Sequence, residues 1–232
     1  NTAIMEMAMA SGITLVSRQD LDPMAATTFG VGEMIKDAIG RGIRHFIIGI
    51  GGSATNDGGT GMLTALGYEF LDAKGKPVGP GGQCLEKIAS VSDKNRIPAL
   101  DECVFQIACD VENPLCGPHG ATYIYGPQKG VTEDLLPVLD RGMNNYGHIA
   151  EAFTGKSTMS TAGSGASGGL GFAFVTFLNG TLKSGTDLIL EAIALETAIK
   201  GADFVITGEG RLDRQTAMGK GPVGVARLGK KH

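Results

Sequence analysis

Two stretches of the chain repeat one arrangement of apolar and polar positions. Each has an apolar run with β-branched residues, a glycine-rich turn carrying polar and acidic groups, and then a helical spacing. The first is Phe46-Ile-Ile-Gly-Ile50, the turn Gly51 to Gly59, and Met62, Leu63 and Leu66, with Gly67 closing the helix as its left-handed residue. The second is Phe204-Val-Ile-Thr207, the turn Gly208-Glu-Gly-Arg-Leu-Asp213, and a helix from about Pro222. Helical spacings over Gly32 to Ile39 and Leu188 to Ile199 precede the two strands. Helix, strand, glycine loop and helix in succession predict an α/β chain built on a parallel sheet.

Between these stretches the spacing changes. Tyr68 to Pro77 reads as a strand and turn, Cys103 to Cys109 as a second strand and Ala121 to Tyr125 as a third. A helix is expected from Glu133 to Ala152 with Pro137 in its first turn, and the Gly163 to Gly171 loop opens a buried apolar helix ending at Leu178. Ile4 to Ala10 reads as an apolar strand or helix. Two loop-bearing strands cannot by themselves form a covered parallel sheet, so further strands, with segments beyond both ends, are expected.

Composition narrows the functional classes. Glycine supplies 37 of 232 residues, against a usual share of about 7%, without a triplet period. A chain that is 42% hydrophobic and 19% charged can bury a core. Its net charge of −4 and the lack of a basic run argue against nucleic acid or a membrane surface as partner. No apolar run approaches the roughly 20 residues of a bilayer span, and Asn1 to Glu6 has no signal-peptide character. Cys84, Cys103, Cys109 and Cys116 have no CxxC spacing and read as reduced thiols of a cytoplasmic protein. Cys109, Cys116 and His119 are too few, and wrongly spaced, for a zinc site.

Two glycine motifs mislead. Thr154-Gly-Lys-Ser-Thr158 resembles the end of a phosphate loop, but Ala150 stands where its first glycine belongs and helix precedes it. Gly163-Ser-Gly-Ala-Ser-Gly168 satisfies GxGxxG without a convincing strand before it or a ribose-binding acid after it. Helix packing or an anion contact accounts for that loop as well as a dinucleotide does. The Gly49 to Gly59 loop is stronger, because Ser53, Thr55, Asn56 and Asp57 cluster at a strand's carboxyl end, where capping alone needs one such residue. Glu209, Arg211 and Asp213 crowd the second loop, and Asp110 and Asn113 follow the strand ending at Cys109. Backbone donors, carboxylates and a cation are what phosphoryl transfer requires.

Gly49-Ile-Gly-Gly-Ser-Ala-Thr-Asn-Asp-Gly-Gly59, Ala108-Cys-Asp-Val-Glu-Asn-Pro-Leu-Cys-Gly117, Gly126-Pro-Gln-Lys-Gly130 and Ile206-Thr-Gly-Glu-Gly-Arg-Leu-Asp213 with Gln215-Thr216 closely resemble type I glycerate kinase, in register over nearly the whole chain. The resemblance implies a flavodoxin-like domain with a second α/β domain inserted into it. Residues 20–67 and 201–232 would belong to the first and 68–200 to the second, with 1–19 unassigned. It implies phosphorylation of D-glycerate by ATP with Mg²⁺, commonly to 2-phosphoglycerate, in a cytoplasmic enzyme, with a homodimer as the candidate assembly. The family begins earlier, with an Asp-Ser-Phe-Lys strand and an Asp-Gly-Gly-Glu-Gly loop, and continues beyond residue 232. Arg214 departs from the small residue usual there.

Roles follow from the resemblance. Gly51, Gly52, Ser53, Thr55 and Asn56 would hold phosphate or glycerate, with Asp110, Asn113, Lys129 and Thr216 as further binding groups and Lys129 reaching phosphate. Asp57, Glu209, Arg211 and Asp213 would be catalytic, with Glu209 and Asp213 on Mg²⁺ and one acid serving as base. A non-catalytic sensor of a hydroxy acid or its phosphate is the alternative reading.

Overall fold

A computed structural model of the chain describes residues 1–210 and 221–231. Two compact units divide it, Asn1–Leu182 and Lys183–His232. In the first, β1 (Thr2–Glu6) leads through the short helix α1 (Ala8–Ser11) to α2 (Phe29–Gly40), β2 (His45–Gly49) and α3 (Thr60–Ala65). A small antiparallel pair follows, β3 (Glu69–Leu71) with β4 (Ser90–Ser92). Then come β5 (Val104–Ala108), α4 (Ala121–Tyr125), α5 (Leu136–Thr154) and α6 (Ala166–Leu178), and β6 (Thr181–Lys183) runs to the unit boundary.

The main sheet has the order β1-β2-β5-β6, and β1–β2 and β2–β5 are parallel. This is the expected α/β class with a parallel sheet. β5 comes from the 68–200 segment and pairs with β2 from the 20–67 segment, so one sheet and one compact unit draw on both. The register explains the pairing. Phe46 lies opposite Phe105 and Ile48 opposite Ile107, all four buried on one face. The Phe46 and Phe105 rings stack at 4.9 Å, and Phe174 of α6 packs on Phe105 at 5.8 Å. Because α6 is apolar around most of its surface, it is buried as the central helix of this core.

Two strand expectations are corrected. Ala121 to Tyr125 is helical: the amide of Gly126 donates to the Thr122 carbonyl at 2.9 Å, and burial falls on adjacent Ala121 and Thr122 instead of alternating. The β-rich composition is overridden there by packing. Phe204 to Thr207 forms no strand among the described residues, with Phe204 88% and Ile206 96% exposed. In the second unit the helix read over Leu188 to Ile199 is two, α7 (Gly185–Ala192) and α8 (Leu195–Ala198), separated by left-handed Ala194. The helix near Pro222 is α9 (Gly221–Gly229).

Lys156, the lysine of the apparent phosphate loop, has a structural task. It donates to the carbonyls of Val175 and Thr176 and to Asn179 Oδ1, at 3.1, 2.6 and 2.7 Å, and so caps the end of α6. Phe105→Ala is expected to destabilise the protein by about 3–5 kcal/mol through the cavity left between the sheet and α6, read by denaturant unfolding.

Candidate active site

The loop between β2 and α3 is organised around one carboxylate. Asp57 is fully buried. Its Oδ2 accepts from the Thr28 amide at 2.8 Å, the Thr28 hydroxyl at 2.9 Å and the Gly61 amide at 3.3 Å, while Oδ1 accepts from the Gly59 amide at 3.0 Å. The Thr28 hydroxyl in turn accepts from the Met62 amide at 2.9 Å. Thr28 precedes α2 and Gly59 precedes α3, so Asp57 satisfies amides at the starts of both helices. Gly59 must be glycine, because its φ is +78° and a Cβ would strike Ala173 of α6. Burial raises the Asp57 pKa above the ordinary carboxylate value, and the hydrogen bonds from Thr28, Gly59 and Gly61 oppose it.

Lys129 lies behind the same loop, in a single 3-10 turn at Pro127–Lys129. It is 1% exposed, and its Nζ donates to the Thr55 carbonyl at 2.6 Å. Desolvation lowers its pKa to about 7, against the opposing pull of Asp57. Asn56 Nδ2 donates to Thr122 Oγ1 at 3.0 Å. Thr55 Oγ1 and Asn56 Oδ1 are buried without a partner among the described residues.

A cavity of about 520 Å³ opens at the carboxyl ends of three strands, with Glu6 from β1, Gly49 from β2 and Ala108 from β5 on its wall. Ligands of open α/β sheets bind at that end. Gly51, Gly52, Ser53, Asp110 and Lys129, all binding candidates in the sequence analysis, line it. Thr55, Asn56 and Asp57 stand behind the wall, fully or nearly fully buried. Asn113 acts one step back, accepting from the Tyr125 hydroxyl at 2.6 Å, while Tyr125 itself lines the cavity. Glu209 is exposed in the second unit, and Arg211, Asp213 and Thr216 lie outside the described residues. The geometry therefore brings five of the predicted residues together and gives Asp57 a bracing position with no open face.

Glu6, Tyr125, Gln128 and Ser167 are polar cavity residues that are not among the predicted site residues. Glu6 ends β1, whose sequence suits strand and helix alike, and Tyr125 lies in α4, whose β-rich composition favours a strand. Ser167 sat inside the GxGxxG loop. It is left-handed at φ 54°, and its hydroxyl donates to the Ile50 carbonyl. The adjoining Gly168 lets α6 approach the Thr55 carbonyl, where a Cβ would clash, so close packing explains that glycine motif.

A separate cavity of about 530 Å³ lies among Phe29, Tyr68, Phe70 and Leu85; Glu69 is its one charged lining residue, which suits charged substrates poorly. No three His, Cys, Asp or Glu side chains converge on a possible metal position among the described residues. No helix among them is long and apolar enough to cross a membrane.

The family model described as "Glycerate kinase family" matches residues 1–232. The chain belongs to the glycerate kinase family. It is 48% identical over 231 residues to the glycerate kinase of Bacillus subtilis (strain 168), covering all of this chain and 60% of that protein. Against the glycerate 2-kinase of Escherichia coli (strain K12) it is 44% identical over 231 residues, covering 100% of this chain and 61% of the relative. A crystal structure from Salmonella typhimurium LT2, provisionally named glycerate kinase 2, superposes with a TM-score of 0.94 at 43% identity, covering 99% of this chain and 62% of that one. The chain thus spans about three-fifths of the length of these relatives.

Asp57→Asn should cost about 1–3 kcal/mol or more in denaturant unfolding, since an amide group would face backbone donors that now meet a carboxylate. Lys129 adds a pH signature. Its folded pKa is near 7 and its ordinary value 10.5, so between them the unfolded chain holds more protons and this group's contribution to stability rises with pH. Wild type should gain stability relative to Lys129→Met as pH is raised from about 7 to 10.5, followed by urea unfolding at each pH.

Proposed function

We propose that the whole protein containing this chain transfers the terminal phosphoryl group of ATP to the 2-hydroxyl of D-glycerate, giving 2-phosphoglycerate. The observation that carries this reading is the cavity at the strands' carboxyl ends, whose glycine loop lies within the residues that the glycerate kinase family model matches. Small residues Gly51, Gly52 and Ser53 let the backbone approach an anionic substrate closely. Tyr125, held by Asn113, and Asp110 supply polar groups for the hydroxy acid. Asp57 acts by fixing this loop, since its oxygens are occupied inside the protein.

Arg211 is the cation proposed for the transferred group, with Thr216 as a nucleotide contact. Glu209 and Asp213 are the residues that would hold Mg²⁺, and the ion would offset the charge on the phosphates of ATP. Free thiols at Cys84, Cys103, Cys109 and Cys116 support a reducing cytoplasmic setting.

The test is ADP release by the full-length protein with D-glycerate, with the product assigned by phosphorus NMR. Glycerate-dependent ADP formation and a 2-phosphoglycerate signal are expected. ADP formation indifferent to glycerate would overturn the reading.

A further inference from the structure

A kinase of this kind needs a group that aligns the attacking hydroxyl and receives its proton. We infer that the Glu6 carboxylate does both, holding the reacting hydroxyl of glycerate and taking its proton, an inference that rests on the kinase reading above. Glu6 ends β1 at the side of the sheet where the cavity opens, and it stands exposed on the cavity wall. It makes no hydrogen bond or ion pair among the described residues. An ionised carboxylate only accepts hydrogen bonds, so its oxygens are open to donors from outside the protein, and a substrate hydroxyl is such a donor.

Gly49 fixes where that carboxylate lies. In the parallel register Glu6 of β1 stands beside Gly49 of β2, and Gly49 beside Ala108 of β5, so the three share one face of the sheet. The Met7 amide donates to the Gly49 carbonyl at 2.8 Å and ties the two strand ends together. The backbone at Gly49 is not left-handed, so its conformation does not call for glycine. A glycine inside an apolar strand weakens it and often marks a close approach. Here the approaching group is identified. The three atoms nearest to a Cβ placed on Gly49 are the carboxyl carbon and the two oxygens of Glu6, all too close for that Cβ to fit. The carboxylate therefore folds across the end of β2, over the space left by the missing side chain. This lies just ahead of the Gly51 to Ser53 turn, which shares the cavity wall.

The other candidate groups are engaged. Asp57 is fully buried with both oxygens accepting hydrogen bonds. Lys129 is buried with Nζ on the Thr55 carbonyl, and the Tyr125 hydroxyl donates to Asn113 at 2.6 Å. The Cys109 thiol donates to the Val111 carbonyl at 3.5 Å. Asp110, the other carboxylate on the wall, lies in the loop after β5 and has interactions of its own within the protein.

The step balances as follows. The O–H bond of glycerate breaks and its proton moves to a Glu6 oxygen, giving a carboxylic acid. The hydroxyl oxygen forms a bond to the γ-phosphorus, and the bond from that phosphorus to the β–γ bridging oxygen breaks with its electron pair leaving on ADP. A carboxylate is basic enough for this, because the hydroxyl becomes acidic as its oxygen bonds to phosphorus. The acid then returns its proton to solvent through the open cavity.

Full-length protein tests this with kcat and KM for D-glycerate at saturating MgATP and varied free Mg²⁺. The set is wild type, Glu6→Gln, Gly49→Ala, the double variant and Asp110→Asn, each checked by urea unfolding. Glu6→Gln keeps the shape but cannot take a proton, so it should lose about 10²–10⁴-fold in kcat with KM little changed. Gly49→Ala keeps the carboxylate and pushes it from its place, so it should lose about 10²-fold in kcat without loss of stability. Because Gly49 acts through Glu6, the double variant should be no slower than Glu6→Gln alone. Wild-type kcat in Glu6→Gln overturns the proposal, and a collapse of Asp110→Asn beside it assigns the base to Asp110. Recovery of Glu6→Gln at raised Mg²⁺ marks a metal ligand and overturns the base. Losses that multiply in the double variant overturn the placement of the carboxylate by Gly49. Glycerate turnover with an unaffected Glu6→Gln sinks the base alone, whereas wild type without glycerate turnover removes the kinase reading and the base with it.

Discussion

The buried carboxylate of Asp57 is the constraint on which the arrangement of the first unit depends. Two helices, α2 and α3, start side by side, and each start leaves amides that must find acceptors inside the protein. One side chain supplies both, with Thr28 relaying its hydroxyl to Met62. An acceptor with two oxygens suits this position, and a single side chain serving two helix starts fixes them relative to each other. The loop ahead of Asp57 is thereby fixed as well, which gives Gly51, Gly52 and Ser53 a defined path along the cavity.

A second contact locks the loop from the other side. Left-handed Gly168 places the start of α6 against the Thr55 carbonyl, and the Gly58 amide donates to the Gly168 carbonyl at 2.8 Å. Two glycine-rich segments distant in sequence are thus fitted to each other. Their glycines serve close backbone approach, and the cavity is what remains at the strand ends once they have packed. This division of labour explains why one of the two segments looks like a nucleotide motif while working as a packing surface.

Sequence reading recovered the elements whose pattern is set locally and missed those decided by distant partners. The β2 strand, the α3 helix with Gly67 behind it, and the long α5 with Pro137 near its start all carry their signals within a few residues. The 121–125 segment carries strand-forming residues, yet it is a helix because packing in the first unit takes Ala121 and Thr122 together. For the site, a cluster of polar residues after a strand points to the loop that borders the cavity. It could not separate Ser53, which faces the cavity, from Asp57 four residues later, which faces inward. That distinction depends on Thr28, nearly thirty residues earlier, and no spacing within the loop encodes it. Lys129 stood out in sequence only within a resemblance; its burial is a tertiary fact.

The two buried charged groups raise different questions about why they are there. Burying an ionisable side chain costs several kcal/mol unless hydrogen bonds compensate, and an apolar residue of similar volume is often as stable or more so. Asp57 has its compensation in five donors, the amides of Thr28, Gly59 and Gly61 and the hydroxyls of Thr27 and Thr28, and its role in the fold accounts for it. Lys129 has one hydrogen bond, to a carbonyl that a backbone or water donor could satisfy equally well. A methionine would fill nearly the same space without a titratable group to desolvate. Stability alone therefore gives no reason for a lysine at this position.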